Sequence, residues 1–196
     1  MKLVYFLASP IAKKYQNYVR LAALAIASAR KHMRDAHIVH LTDMDTPALT
    51  GVDEVMRVPT SRRALAHSMV DGEVIFIDVD TIIKKDVSHV LDDKSFDIAV
   101  SRRRNVMGTH NEFNSGVVFS RCQKFWSHVH IEWEKDNYAF NEHAFNTVIH
   151  GGQYRVAYLD ATYNYTPKSD TEDVSMANIV HYKGKRKAWM LQLGEH

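Results

Sequence analysis

Apolar positions change period several times along the chain, and each change marks an element. LVYFLA (3–8) is an apolar run of strand length. It precedes YQNYVRLAALAIASARKHM (15–33), rich in alanine and leucine, free of Gly and Pro and cationic at its end, which predicts a long helix. AHIVHLTD (36–43) reads as a β-branched strand, EVMRVP (54–59) as a weak one, SRRALAHSMV (61–70) as a helix and EVIFID (73–78) as a buried strand. This alternation predicts an α/β fold with a mostly parallel central sheet and helices on both faces. Beyond it, FDIAVS (96–101) predicts a strand, RRRNVMGTH (102–110) a loop and FNSGVVFS (113–120) a strand. Helices follow at CQKFWSHVHIEWEKD (122–136) and NEHAFNTVIH (141–150), then a glycine turn and strand at GGQYRVAYLD (151–160). From Tyr163 onward the pattern loses strong periodicity, and no repeat or linker splits residues 1–196, which predicts one domain.

Composition narrows the picture only slightly. With 196 residues, 45% of them hydrophobic, the chain can bury a substantial core. A formal charge of +2 suits anionic ligands without requiring a polyanion. The single cysteine, Cys122, excludes an internal disulfide framework and is expected to be a small buried hydrophobe. MKLVYFLASP reads as a first strand and not as a secretory leader, and no apolar run reaches the roughly 20 residues that span a bilayer. The expectation is a soluble, cytoplasmic protein.

One stretch does not suit a structural reading alone. In VIFIDVDTII (74–83), Asp78 and Asp80 interrupt the most hydrophobic run of the chain, where a charge is costly unless paired. On an extended backbone residues two apart point the same way, so both carboxylates are expected to face one small volume beyond the sheet's carboxyl edge, where ligands of open α/β sheets bind. Two carboxylates that close call for a cation, and Mg²⁺ or Mn²⁺ suits oxygen ligands that share the ion with phosphate. They could equally cap the next element or pair with Lys84 and Lys85. The tail weighs against that: in ANIVHYKGKRKAWM (177–190) an apolar run ends in His181, with Gly184 and Lys187 at successive three-residue steps. An imidazole offers a third ligand, glycine permits close backbone approach to phosphate, and lysine neutralises it.

FIDVDT, FNSGVVFS and HYKGKRKAW, taken in order, resemble the three signature segments of the GT-A nucleotide-diphospho-sugar transferases. Within them the resemblance is to glycosyltransferase family 8, the glycogenin-like and bacterial lipopolysaccharide galactosyltransferase-like enzymes. Ala188 stands where that family usually has proline. The resemblance spans nearly the whole chain and implies a Rossmann-like GT-A domain, its nucleotide-binding half about residues 1–100 and its sugar and acceptor half about 101–196. It implies that Asp78 contacts the donor ribose and the metal, that Asp80 and His181 ligate Mn²⁺ or Mg²⁺, and that Gly184 and Lys187 hold the diphosphate. Asn114, Ser115 and Gly116 would line the sugar pocket, Tyr18 in preference to Tyr15 would stack on uracil, and Arg62 or Arg63 would complete the phosphate site. Where relatives carry Asp-Gln before a helix, this chain has Asn141-Glu142, so the carboxylate has moved by one position. Glu142 would then act as nucleophile or electrostatic stabiliser, or would simply favour its helix N-terminus.

The implied reaction moves a hexose from UDP-glucose or UDP-galactose to a hydroxyl of a glycan, lipid-linked glycan, protein or modified nucleic acid, with retention. A non-catalytic nucleotide-sugar binding protein is the alternative, kept open by Asn141-Glu142 and Ala188. A nucleotidyltransferase is disfavoured because LASPIAKK, after the first strand, contains no glycine. His128 and His130 diverge on a helix and are expected to be ordinary surface or packing residues.

Overall fold

The computed structural model describes residues 1–8, 12–103, 112–136 and 141–194, with the backbone alone at 12–14, 136 and 141. Strands β1 (Lys2–Phe6), β2 (His37–Thr42), β3 (Glu54–Arg57) and β4 (Val74–Ile77) alternate with helices α1 (Ala12–His32) and α2 (Arg63–His67). After β5 (Thr81–Ile83) come β6 (Ile98–Arg102), β7 (Phe113–Ser120), α3 (Gln123–Asp136), α4 (Asn141–His150), β8 (Val156–Leu159), β9 (Ile179–His181) and α5 (Lys187–Gln192).

Seven strands form the central sheet in the order β3-β2-β1-β4-β7-β6-β8. All run parallel except β7, which is antiparallel to both its neighbours. Because β7 is reversed, its amino end lies at the same edge as the carboxyl end of β4: Ile77 is paired with Val117, and the Asp78 N–H donates to the Gly116 carbonyl at 2.8 Å. The Asn-Ser-Gly segment and the two aspartates are thereby neighbours.

The near-continuous apolar strands are explained by burial on both faces. Leu3, Tyr5, Ile75, Ile77, Val117 and Phe119 face α1, which presents Leu21, Ala25, Ile26 and Ala29 at helical spacing, and this core extends to Met190 of α5. Val4, Phe76, Val118 and Val100 face the opposite core, closed by Ala64 and Ala66 of α2, Phe125 and Trp126 of α3, and Phe145 of α4. Arg30, Lys31 and His32 end α1 where its dipole favours cations. Cys122 is half-buried beside the second core, since it precedes α3 instead of facing inward from it, contrary to the buried position expected.

A second, two-stranded sheet pairs β5 antiparallel with β9, with Thr81 opposite His181. β5 and α5 lie in stretches for which the sequence pattern predicts no element, whereas β9 is the strand-like apolar run that ends in His181. Residues 104–110 of the expected loop lie outside the described residues, whereas Arg102 belongs to β6. Among the described residues no helix is long and apolar enough to cross a membrane.

Candidate active site

The aspartates do not converge in the way an extended strand would dictate. β4 ends at Ile77, Val79 and Asp80 form a turn closed by the Thr81 hydroxyl donating to the Asp78 carbonyl at 2.7 Å, and Thr81 opens β5 in the other sheet. The turn lets Val79 stay buried while both carboxylates face one side. Register then supplies the third group: the Tyr182 N–H donates to the Asp80 carbonyl at 2.8 Å, seating His181 against Asp80. One ligand atom from each of Asp78, Asp80 and His181 lies within 4.8 Å of the others.

His181 Nε2 stands 3.2 Å from Asp80 Oδ1 and 3.6 Å from Asp78 Oδ2. The ring is 2% exposed and Asp80 5% exposed, so these are groups withdrawn from water and dependent on one another. The Lys187 ammonium pairs with the outer oxygen of Asp80, and Arg63 Nη2 holds Asp78 Oδ1 at 2.8 Å while donating to the Ser115 carbonyl at 2.6 Å. Burial pushes the Asp80 carboxyl up, but His181 and Lys187 together outweigh it and hold the group below the ordinary carboxylate range. Two carboxylates and one imidazole nitrogen are a donor set suited to a divalent ion that prefers oxygen and tolerates nitrogen.

Behind this seat Gly116 makes the room. A Cβ there would stand 2.2 Å from His181 Cε1 and 2.7 Å from Asn114 Oδ1. Asn114 Oδ1 accepts from the Gly116 N–H at 3.0 Å, and Asn114 Nδ2 donates to Glu142 Oε1 at 2.6 Å. The other oxygen of Glu142 is paired with Arg103. Asn146, wholly buried one turn along α4, anchors this face by accepting from the Phe113 N–H and donating to the Phe113 and Glu142 carbonyls. Burial and the nearby Arg103 push the Lys183 ammonium down, against the pull of Glu142.

Several solved glycosyltransferases share this architecture. A galactosyltransferase, LgtC, in complex with donor and acceptor sugar analogs, superposes with a TM-score of 0.64 at 13% identity, over 98% of this chain and 96% of that one. The glycosyltransferase GlyE of Streptococcus pneumoniae TIGR4 matches with a TM-score of 0.66 at 16% identity, over 98% of this chain and 63% of its own. A glycosyltransferase involved in glycosylation of the major capsid of PBCV-1 matches with a TM-score of 0.63 at 14% identity, over 100% and 99%. This is the GT-A fold. No protein-family model matches the chain, and no curated protein sequence matches it significantly.

Within the GT-A frame the remaining candidates occupy distinct places. Tyr18 on α1 lies under Lys187, whose Nζ is 5.9 Å from the ring centroid, whereas the Tyr15 hydroxyl donates to the Pro47 carbonyl at 3.3 Å. Gly184, at φ 65°, opens a 3-10 turn that runs into α5 and so sets Lys187 at the start of that helix. Of the two arginines, Arg63 reaches Asp78; Arg62 pairs with Glu134 and lies 5.1 Å from the Trp133 ring centroid. The side chain of Asn141 lies outside what is described, and its backbone opens α4. Arg102 and Arg103 are tied to Glu112 and Glu142. His128 meets the Tyr154 hydroxyl at 2.6 Å and His130 lies 3.7 Å from Glu134, in keeping with their divergent directions.

One residue at the centre of the network went unnoticed in the sequence. Asn164 ends the 3-10 turn Ala161–Asn164, and its Oδ1 lies 2.9 Å from His181 Nδ1. It sits in the aperiodic tail, and its only local signal is the Asp160 turn cap, whose side chain accepts from the Thr162 N–H at 2.7 Å.

Proposed function

We propose that the chain is a metal-dependent hexosyltransferase resembling glycosyltransferase family 8, taking a UDP-sugar such as UDP-glucose or UDP-galactose and transferring to a hydroxyl acceptor with retention. The observation that carries the reading is the convergence of Asp78, Asp80 and His181 at the carboxyl edge of a GT-A sheet. When bound there, Mn²⁺ or Mg²⁺ would supply Lewis-acid stabilisation of charge on the leaving UDP.

The chain's own groups do the rest. Lys187 and the Gly184 backbone hold the diphosphate, so that Lys187 exchanges its carboxylate partner for phosphate oxygens. Arg63 keeps Asp78 oriented, and Tyr18 offers its ring to the uracil. Asn114, Ser115 and Gly116 line the sugar pocket. Both oxygens of Glu142 are engaged, by Asn114 and by Arg103, which lowers its nucleophilicity and suits a fixed anion facing an oxocarbenium-like centre. The acceptor hydroxyl then attacks on the face from which UDP departs.

The test is thermal stability with each UDP-sugar in Mn²⁺, Mg²⁺ or EDTA, with free UDP followed in the same wells. A metal-dependent stabilisation and slow UDP release, both lost in Asp80→Ala, are expected. A flat response to every UDP-sugar, or full activity of Asp80→Ala with metal bound, would refute the assignment. Stabilisation without UDP release would instead identify a nucleotide-sugar binding protein.

A further inference from the structure

Asn164 joins two halves of the site that the chain supplies from distant segments. Its Nδ2 donates to the Asn114 carbonyl at 3.3 Å and to Asn114 Oδ1 at 3.1 Å, and its Oδ1 faces His181 Nδ1 at 2.9 Å. The amide orientations follow from chemistry. Asn114 Oδ1 also accepts from the Gly116 N–H while its Nδ2 donates to the Glu142 carboxylate, and reversing either amide would set donor against donor or oxygen against oxygen. Asn164 therefore accepts, and His181 Nδ1 carries the hydrogen. Nε2 is thereby the nitrogen turned to Asp80 and Asp78, and its lone pair would become a ligand once a bound cation took the place of the proton it shares with those carboxylates.

Its own backbone is braced on both sides. The Asn178 N–H donates to the Thr162 carbonyl at 2.9 Å, the Tyr165 N–H to the Ile179 carbonyl at 2.9 Å, and the His181 N–H to the Tyr165 carbonyl at 2.7 Å. The turn is thus fastened to β9, the strand that delivers His181.

We propose that Asn164 is a positioning residue that fixes His181 as a cation ligand and, through Asn114, sets the place of the Glu142 carboxylate. The proposal rests on the metal-binding reading of Asp78, Asp80 and His181. Metal-free wild type, Asn164→Ala, Asn164→Asp and Asp80→Ala are titrated with Mn²⁺ alone, free ion is read by electron paramagnetic resonance, and kcat for UDP release is measured on the same preparations. Asn164→Ala should lose about 10- to 100-fold in Mn²⁺ affinity, the range for a hydrogen-bond partner of a ligating histidine. Asn164→Asp keeps the acceptor for Nδ1 and should bind Mn²⁺ within about threefold of wild type. It cannot donate to Asn114, so its kcat should still fall about tenfold or more.

Wild-type affinity in Asn164→Ala, with binding lost in Asp80→Ala, overturns this proposal and leaves the metal site standing. Unchanged binding in both overturns the two together. Should Asn164→Ala fail to fold, nitrogen-15 spectra of histidine-labelled wild type with Mg²⁺ decide the matter. A proton on Nδ1 of His181 supports the role of Asn164, and one on Nε2 refutes it.

Discussion

Replacing Gly116 with alanine puts one methyl group where the His181 ring now sits. The added Cβ would lie 2.2 Å from Cε1, about 1.2 Å short of the 3.4 Å where ordinary contact begins, and 2.7 Å from Nδ1 and from Asn114 Oδ1. Neither neighbour can yield cheaply. The ring is 2% exposed and held through Nδ1 by Asn164, while Asn114 holds the Gly116 N–H and Glu142. Relief therefore requires the ring to leave the aspartates, at an overpacking cost of about 1–3 kcal/mol. A ligand displaced by about 1 Å is expected to cost roughly a hundredfold in activity, because the reaction depends on that geometry. Urea unfolding, Mn²⁺ titration and UDP release are measured on Gly116→Ala beside Gly151→Ala, whose added Cβ meets nothing closer than 3.4 Å. Stability lowered by about 1–3 kcal/mol with metal binding and turnover collapsing in Gly116→Ala alone is expected. Wild-type Mn²⁺ affinity in a folded Gly116→Ala would refute the claim that the absence of a side chain here seats the ligand.

Two further outcomes follow from the same contacts. Asn146→Ala removes two hydrogen bonds at the start of β7 and one to the Glu142 carbonyl, and should cost about 2–4 kcal/mol in urea unfolding; a loss below about 1 kcal/mol would contradict its anchoring role. The Asp80 carboxyl titrates lower in the folded chain than its ordinary 3.8, so it contributes stability above that value and loses it as pH falls toward the folded value. In metal-free protein the stability gap between wild type and Asp80→Asn should therefore narrow below about pH 4, and a gap independent of pH would contradict the pairing with His181 and Lys187.

Local patterning carried the central sheet well and the site only in part. Phe113–Ser120 and Asn141–His150 form over the stretches their apolar positions predict, because each buries a face along its full length. β5 and β9 have three residues each, too few to show a period, and they exist only through pairing with each other. The Asp78-Val79-Asp80 motif was visible, but its geometry was not: a turn between two sheets replaces the extended strand, since Val79 must stay buried while the chain changes sheet. Beyond the Asp160 turn cap Asn164 has no local signature, because its role is defined by His181 and Asn114, 17 and 50 residues away. The reversed β7 in mid-sheet likewise depends on long-range order, which a one-dimensional pattern does not record.

The pairing of Thr81 with His181 also ties two distant parts of the chain into one site. The seven strands of the central sheet all lie before residue 160, whereas the third group of the cation seat comes from β9. Order in the main sheet is thus not enough to build the seat: any change that parted β9 from β5 would leave the two aspartates without their histidine.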